Sequence, residues 1–303
     1  MVLLKDKIID ENGKVVGLAR KNSSEIYFSN FLERYSNWLG NMKTEEEVNV
    51  LKKLIEEMKF YSKIDIKSLI KTKIYKLKSD HQNFENTNII PMVSNNRRFN
   101  GSYDVIALLK EIDREEAIIG REVLPYKDTI VMDPREIDEN SDTVLIIDDI
   151  CGTGGTLEEF FEDNILLFNN KNVIVLFLVI NKHAQTKLEE IKRKYKDINL
   201  SIDCCEVVDK LCNYKYLSEQ EFEILEKIER SLWRRKHRNI MGYENSQLLI
   251  GFSHNIPNNT ISSIWYESKL GKRKEWNPLF SRYTKRSKKD RLKKNYGVKK
   301  SGN

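Results

Sequence analysis

Residues 144–156 run Val-Leu-Ile-Ile-Asp-Asp-Ile-Cys-Gly-Thr-Gly-Gly-Thr, and the order of residue types in that stretch specifies a kind of chemistry. Two adjacent carboxylates, Asp148 and Asp149, follow four apolar residues; a loop of small residues with two hydroxyls, Thr153 and Thr156, comes after them. The backbone N–H groups from Gly152 to Thr156 can converge on an anion, and a helix opening behind them adds the positive end of its dipole. A phosphate is the expected anion. The carboxylates repel such a group, so they must serve something beside it: sugar hydroxyls, a divalent cation, or both. A phosphorylated sugar satisfies both halves of the stretch.

Those groups need a rigid frame. Val144 to Ile147 is a short, partly β-branched apolar run, which predicts a buried strand of a parallel sheet. The acid pair then falls at its carboxyl end, where open α/β sheets bind ligands, and residues 157–168 predict the helix that follows. Rival phosphate sites fail on spacing. The chain has no Gly-x-x-x-x-Gly-Lys-Ser/Thr loop, so the acid pair is not the metal-binding strand of a Walker ATPase. After Gly152 and Gly154, position 157 is Leu where a dinucleotide fingerprint needs Gly or Ala. The adjacent acids also lack the Asp-x-Asp spacing of a phosphatase nucleophile.

The stretch closely resembles the signature of the type I phosphoribosyltransferases: hydrophobic residues, two acids, three variable residues, then Thr-Gly-Gly-Thr. The match holds from Val144 to Thr156. The resemblance implies binding of 5-phosphoribosyl-1-pyrophosphate (PRPP). Asp148 and Asp149, the catalytic positions, would hold the ribose 2′ and 3′ hydroxyls. Ile150, Cys151 and Gly152 would be the variable part of the loop, and Thr153, Gly154, Gly155 and Thr156 would wrap the 5-phosphate. Mg²⁺ is expected to arrive with PRPP, and no side chain is assigned as a metal ligand. The implied fold is α/β, a mostly parallel sheet flanked by helices.

The order of elements agrees. Residues 88–94 predict a first sheet strand, with Pro91 favouring an irregular or edge position. A polar basic loop follows and then a helix from about Ser102 to Ile112. By its place in the order this corresponds to the pyrophosphate loop of the resembling family, with Asn96, Arg97 and Arg98, helped by Ser102, facing the leaving group. Residues 117–120 and 129–132 read as short strands. The connection between them is brief, with Tyr126 and Lys127 as its reaching side chains, whereas catalytic relatives carry a loop here that closes over the reaction. Residues 173–181 and 198–207 read as further strands, separated by a charged helix over 183–195. A helix capped by Ser218 and Glu221 is expected to run to about Arg238.

Four regions are expected: a mainly helical N-terminal extension over 1–85, the α/β core over 86–240, a hood-like segment over 241–283, and a basic tail over 284–303. In the first, residues 1–22 read as a hairpin around Asn12-Gly13, Thr44 opens a helix reaching about Tyr61, and Asp65 caps another. In the third, an apolar run delivers His254 and Asn255 to a Pro-Asn-Asn turn, an arrangement suited to a site. Over residues 25–283 the chain resembles phosphoribosyltransferase-like proteins of bacterial conflict and antiphage loci, some beside retron reverse transcriptases. That resemblance implies an effector role and makes His254 and Asn255 acceptor-side candidates.

Composition sets the outer limits. The 303 residues are 40% hydrophobic and 32% charged, with a net charge of +6 and no apolar run of the roughly 18 residues a membrane span needs. An early charged N-terminus argues against a secretory signal, and Cys151, Cys204, Cys205 and Cys212 lack disulfide or metal spacing, so a cytoplasmic setting is expected. From Lys269 onward fourteen Lys and Arg face two acids. Such a tail is either a solvated end or a dock for nucleic acid, with Tyr283 and Tyr296 available to stack. Three functions remain open: phosphoribosyl transfer to an unknown acceptor, non-catalytic sensing of PRPP or a related nucleotide, and a nucleic-acid-associated effector. Oligomeric state is open too.

Overall fold

The computed structural model describes residues 17–81, 84–93, 100–125, 129–233, 237–267 and 275–282. Helices α1 (Gly17–Lys21), α2 (Phe31–Leu39) and α3 (Glu45–Glu57) lead to a short strand, β1 (Lys59–Tyr61), and the long α4 (Lys63–Asp80). Alternation then sets in: β2 (Thr87–Pro91), α5 (Gly101–Ile118), β3 (Thr143–Cys151), α6 (Gly155–Asn164), β4 (Asn172–Asn181), α7 (Gln185–Lys194) and β5 (Asn199–Val208). Helix α8 (Glu219–Leu232), β6 (Ile250–Phe252) and α9 (Ser262–Trp265) complete the described elements.

Strands β2, β3, β4 and β5 form one sheet in that spatial order, every pair parallel. The fold is thus α/β, as expected. The two-residue period of a strand sorts its side chains between two cores. Leu145, Ile147, Ile174 and Leu176 face Ile66, Ile70 and Ile74 of α4 and Val105, Leu109 and Ile112 of α5. Val144, Ile146, Val173, Val175 and Phe177 face Leu157, Phe160 and Phe161 of α6 and Leu188 and Ile191 of α7. The apolar runs of β3 and β4 are continuous because both faces are covered.

Strand β2 lies at the sheet's end, where Pro91 costs least. Its outer side makes only a local bridge: the Ile89 N–H donates to Thr129 at 2.7 Å, and the Val131 N–H donates to Ile89 at 3.0 Å. The expected strand at 129–132 is therefore a single bridge at Ile130. The expected strand at 117–120 is the end of α5, closed by Gly120 at a φ of 76°. Ile118 and Ile119 mimic a strand in sequence, yet they are 84% and 61% exposed.

A third core joins the two ends of the described chain. Phe28, Phe31, Trp38, Leu51 and Leu54 from the N-terminal helices pack with Leu225, Ile228, Ile264, Trp276 and Phe280. Strand β1 pairs parallel with β6 in register Lys59↔Ile250, Phe60↔Gly251 and Tyr61↔Phe252. This corrects the expectation of a helix continuing to Tyr61, since α3 stops at Glu57. The Thr44 hydroxyl accepts the Glu47 N–H at 3.3 Å, but the Glu47 carboxylate answers Lys43 at 2.8 Å. In α4 the cap is Ser62, and Asp65 is the returning member of its box. The expected hairpin at 1–22 is mostly outside the described residues, and its last part, Gly17–Lys21, is helical. The Ser218–Glu221 box is present as expected, though α8 ends at Leu232. Among the described residues no helix is long and apolar enough to cross a membrane.

Candidate functional site

Strand β3 does not stop at its apolar run. Its pairing with β4 carries on through Asp148↔Phe177 to Cys151↔Ile180, so a β-ladder fixes the backbone of the acid pair. Asp148 is 5% exposed and accepts the Asp149 N–H at 2.9 Å. Burial, reinforced by the charge of Asp149, pushes its carboxyl well above the usual carboxylate range. Cys151 is buried, and burial pushes its thiol up to about 12. A thiol held protonated in this way is no nucleophile, in line with a variable position.

The loop turns at Gly154, the residue before α6, whose φ of 86° is the left-handed geometry that glycine adopts freely. Thr153 is half-buried and Thr156 exposed in the first turn of α6. The same turn contains Glu158, paired with Lys187 of α7 at 2.7 Å, and Lys187 holds its carboxyl below the usual range. Lys187 also lies against Gly154: a Cβ there would meet Lys187 Cγ at 2.9 Å.

A second helix begins beside the acid pair. The Asp149 carboxylate lies so close to Gly101, first residue of α5, that a Cβ on Gly101 would stand 1.8 Å from Oδ2. Any larger residue there would force the Asp149 carboxylate to move. The base of the preceding loop is pinned to the end of β2. Asn100 and Ser102 both donate to the Met92 carbonyl, at 2.7 and 3.1 Å. Ser102 is thus buried and committed to the backbone, which corrects its expected role toward pyrophosphate. Asn96, Arg97 and Arg98 lie outside the described residues, as do Tyr126, Lys127 and the tail from Tyr283.

The C-terminal segment forms the facing wall. After β6 the chain turns, with the Phe252 N–H donating to Asn255 at 3.0 Å and the Ser253 N–H to Tyr61 at 2.9 Å. His254 then reaches Asp149, with Nε2 3.0 Å from Oδ2; the two side chains are 8% and 14% exposed. Its ring stacks on Phe252 at 5.2 Å, and its Nδ1 is buried without a hydrogen-bond partner. Asn255 behaves differently from its neighbour. Its side-chain oxygen accepts the Ile256 N–H at 2.9 Å and so shapes the turn. The structure brings residues 148–156 and His254 together, and gives Asn255 a local bond.

Four contributors have no signature in the sequence. Gly101 accommodates Asp149, and Asn259 lies against Gly152, where a Cβ would stand 1.9 Å from Nδ2. Arg282 donates to the Ile256 carbonyl at 3.0 Å; burial lowers its pKa, while Asp149 and Tyr27 pull the other way. Asp104, one turn into α5, keeps access to solvent yet is crowded enough that desolvation raises its pKa, with His254 opposing and Asp149 adding. The only hints were a glycine after the arginine pair and a second asparagine after Pro257. Among the described residues no group of three His, Cys, Asp or Glu side chains could hold a metal ion.

The site can therefore present two carboxylates at the end of a parallel strand, one of them against the N-terminus of α5, with α6 opening a few residues on and imidazole, carboxamide and guanidinium groups of the C-terminal segment close by. The sequence model of the PRTase-CE family matches residues 35–282. Among solved structures, the chain is similar to an orotate phosphoribosyltransferase from Francisella tularensis, with 13% identity and a TM-score of 0.33 over 55% of this chain and 77% of that one. It is also similar to the AQ2163 protein from Aquifex aeolicus, at 14% identity and a TM-score of 0.28 over 62% of this chain and 88% of that one. No curated protein matches the sequence.

Proposed function

Because the chain belongs to the PRTase-CE family, we propose that its acid pair and phosphate loop bind PRPP and transfer the phosphoribosyl group to an acceptor. One observation carries the reading: α5 begins against the acid pair, with Gly101 at Asp149, and α6 begins at Gly155, a few residues past the end of the strand that carries the pair. PRPP has an anion at each end of a diol, and two helix N-termini near two carboxylates complement that arrangement. The backbone of residues 153–156 would hold the 5-phosphate, and Asp148 and Asp149 would accept the ribose hydroxyls. Asn96, Arg97 and Arg98, directly ahead of α5 in the chain, would face the pyrophosphate.

Holding the unreacting phosphate fixes C1, and remote binding of this kind favours the transition state. The acceptor's lone pair forms the bond to C1 while the C1–oxygen bond breaks, its electrons leaving with pyrophosphate. With only the acid pair and His254 in place, the residues fit a Mg²⁺ ion held mainly by substrate oxygens. That ion would neutralise charge on the leaving group. His254 and Asn255 stand on the acceptor side, His254 through its hold on Asp149.

The Asp149–His254 pair also favours a second reading, a PRPP or nucleotide sensor. Ribose hydroxyls would compete for the oxygen that holds the C-terminal segment. An effector role in antiphage defence belongs to the same proposal, as does docking of nucleic acid on the basic tail. Titration of PRPP, with and without Mg²⁺, into wild type and Asp148→Asn/Asp149→Asn tests the site while pyrophosphate release is followed across acceptors. Loss of the hydrogen bonds to both ribose hydroxyls predicts roughly a hundredfold weaker binding in the variant. Equal affinity in both proteins would remove the acid pair from the site. Binding without turnover on any acceptor would favour the sensor.

A further inference from the structure

The phosphate loop contains three glycines in four residues, Gly152, Gly154 and Gly155, and therefore has little conformational preference of its own. A loop that binds an anion through backbone N–H groups needs those groups aimed beforehand, since ordering them on binding costs affinity. Two side chains from outside bear on this loop. Lys187 of α7 lies against Gly154, and Asn259 of the C-terminal segment lies against Gly152.

The Asn259 contact is held from behind. Asn259 is 7% exposed, and its carbonyl accepts both the Leu248 N–H at 3.1 Å and the Ser246 hydroxyl at 2.7 Å. Gly242 approaches that carbonyl so closely that a Cβ would stand 2.3 Å from it. Met241, Gly242, Glu244, Asn245 and Gln247 all have left-handed φ, between 52° and 79°. Such density of strained backbone persists only where its surroundings over-determine it. Here Asn181, at the end of β4, donates to the Ser246 carbonyl at 3.0 Å, and Glu229 of α8 accepts the Met241 N–H at 3.0 Å. The strained turn thus ties the seat of Asn259 to the same sheet that carries the acid pair.

We infer that Asn259 is a positioning residue of the phosphate loop: its carboxamide clamps Gly152 from the C-terminal segment, opposite Lys187 on Gly154, and so aims the N–H groups of residues 153–156 at the 5-phosphate. The functional part of this assignment rests on the PRPP reading; the clamp itself does not. It also explains a sequence feature of the loop. Gly152 occupies a variable position of the signature, yet in this chain a Cβ there would collide with the Asn259 carboxamide unless that side chain moved.

Hydrogen exchange of the unliganded protein and titration with ribose 5-phosphate test the inference together. Asn259→Ala is expected to speed exchange of the amides at 152–156 at least about tenfold and to weaken ribose 5-phosphate by roughly tenfold, as misplaced binding groups do. Asn199→Ala, at the opposite end of the sheet, should do neither. Gly152→Ala should reproduce the loss by collision, and Gly152→Ala/Asn259→Gly should bind better than Gly152→Ala alone. Unchanged loop exchange in Asn259→Ala overturns the inference even if the ligand binds. A double variant no better than Gly152→Ala overturns it as well. Should loop exchange rise while wild type binds neither ribose 5-phosphate nor PRPP, the clamp stands and the PRPP reading falls.

Discussion

Asp148 is a carboxyl removed from water at the centre of the site, and its raised pKa has a consequence for stability. A folded-state pKa above the unfolded value means that the favourable contribution is complete below the ordinary carboxylate range, about 4, and is lost as pH rises through the folded value. Asp148→Asn removes that loss. The variant is expected to gain stability over wild type between about pH 5 and about pH 8, with the gap flattening once the raised value is passed. Denaturant unfolding at those two pH values measures it, and a gap that does not widen would contradict a buried, protonatable Asp148. The variant should also lose PRPP affinity, so stability and function pull apart at one residue. At this scale the acid pair and the loop were legible because they are contiguous. His254 was legible through its Pro-Asn-Asn turn. Gly101, Asn259 and Arg282 were not, because the groups they meet lie far away in the chain and no local pattern encodes a distant contact.

Strands β1 and β6 show the same limit among elements. Three residues directly after a helix, Lys59–Tyr61, carry too little period to announce a strand, and the partner that stabilises them is β6. By contrast β3, β4, α6 and the Ser218 cap were readable, each having either a long apolar run or a capping pair. Gly251 is the close point of the small sheet. A Cβ there would stand 2.8 Å from Ile256 Cδ1 and 2.9 Å from Phe60 Cδ2. Gly251→Val should therefore cost about 1–3 kcal/mol through overpacking. It should also displace the turn that carries His254. Denaturation midpoints and PRPP titration measure the two effects, and a variant that keeps full stability would mean the β1–β6 contact is looser than described.

For the molecule as a whole, the third core determines whether the facing wall of the site stands. The indole N–H groups of Trp38 and Trp276 both donate to the Ser263 carbonyl, at 2.7 and 3.0 Å, which couples α2 to α9 across the chain. The division into an N-terminal extension and a C-terminal hood was drawn from the pattern of helices and from the resemblance. Their shared core could not be read that way, because apolar residues show that burial occurs without naming the partner. Trp38→Ala should cost about 3–5 kcal/mol from the lost side chain and the cavity it leaves. Limited proteolysis should then cut first within residues 237–282, ahead of the main sheet; cutting spread evenly over the chain would show that the two regions are not coupled in this way. The parallel pairing of β1 with β6 also orders events during synthesis. The acid pair and phosphate loop leave the ribosome well before His254, Asn259 and Arg282, and domains fold as their chain emerges. A nascent chain thus carries half a site until residues 254–282 arrive and make it whole.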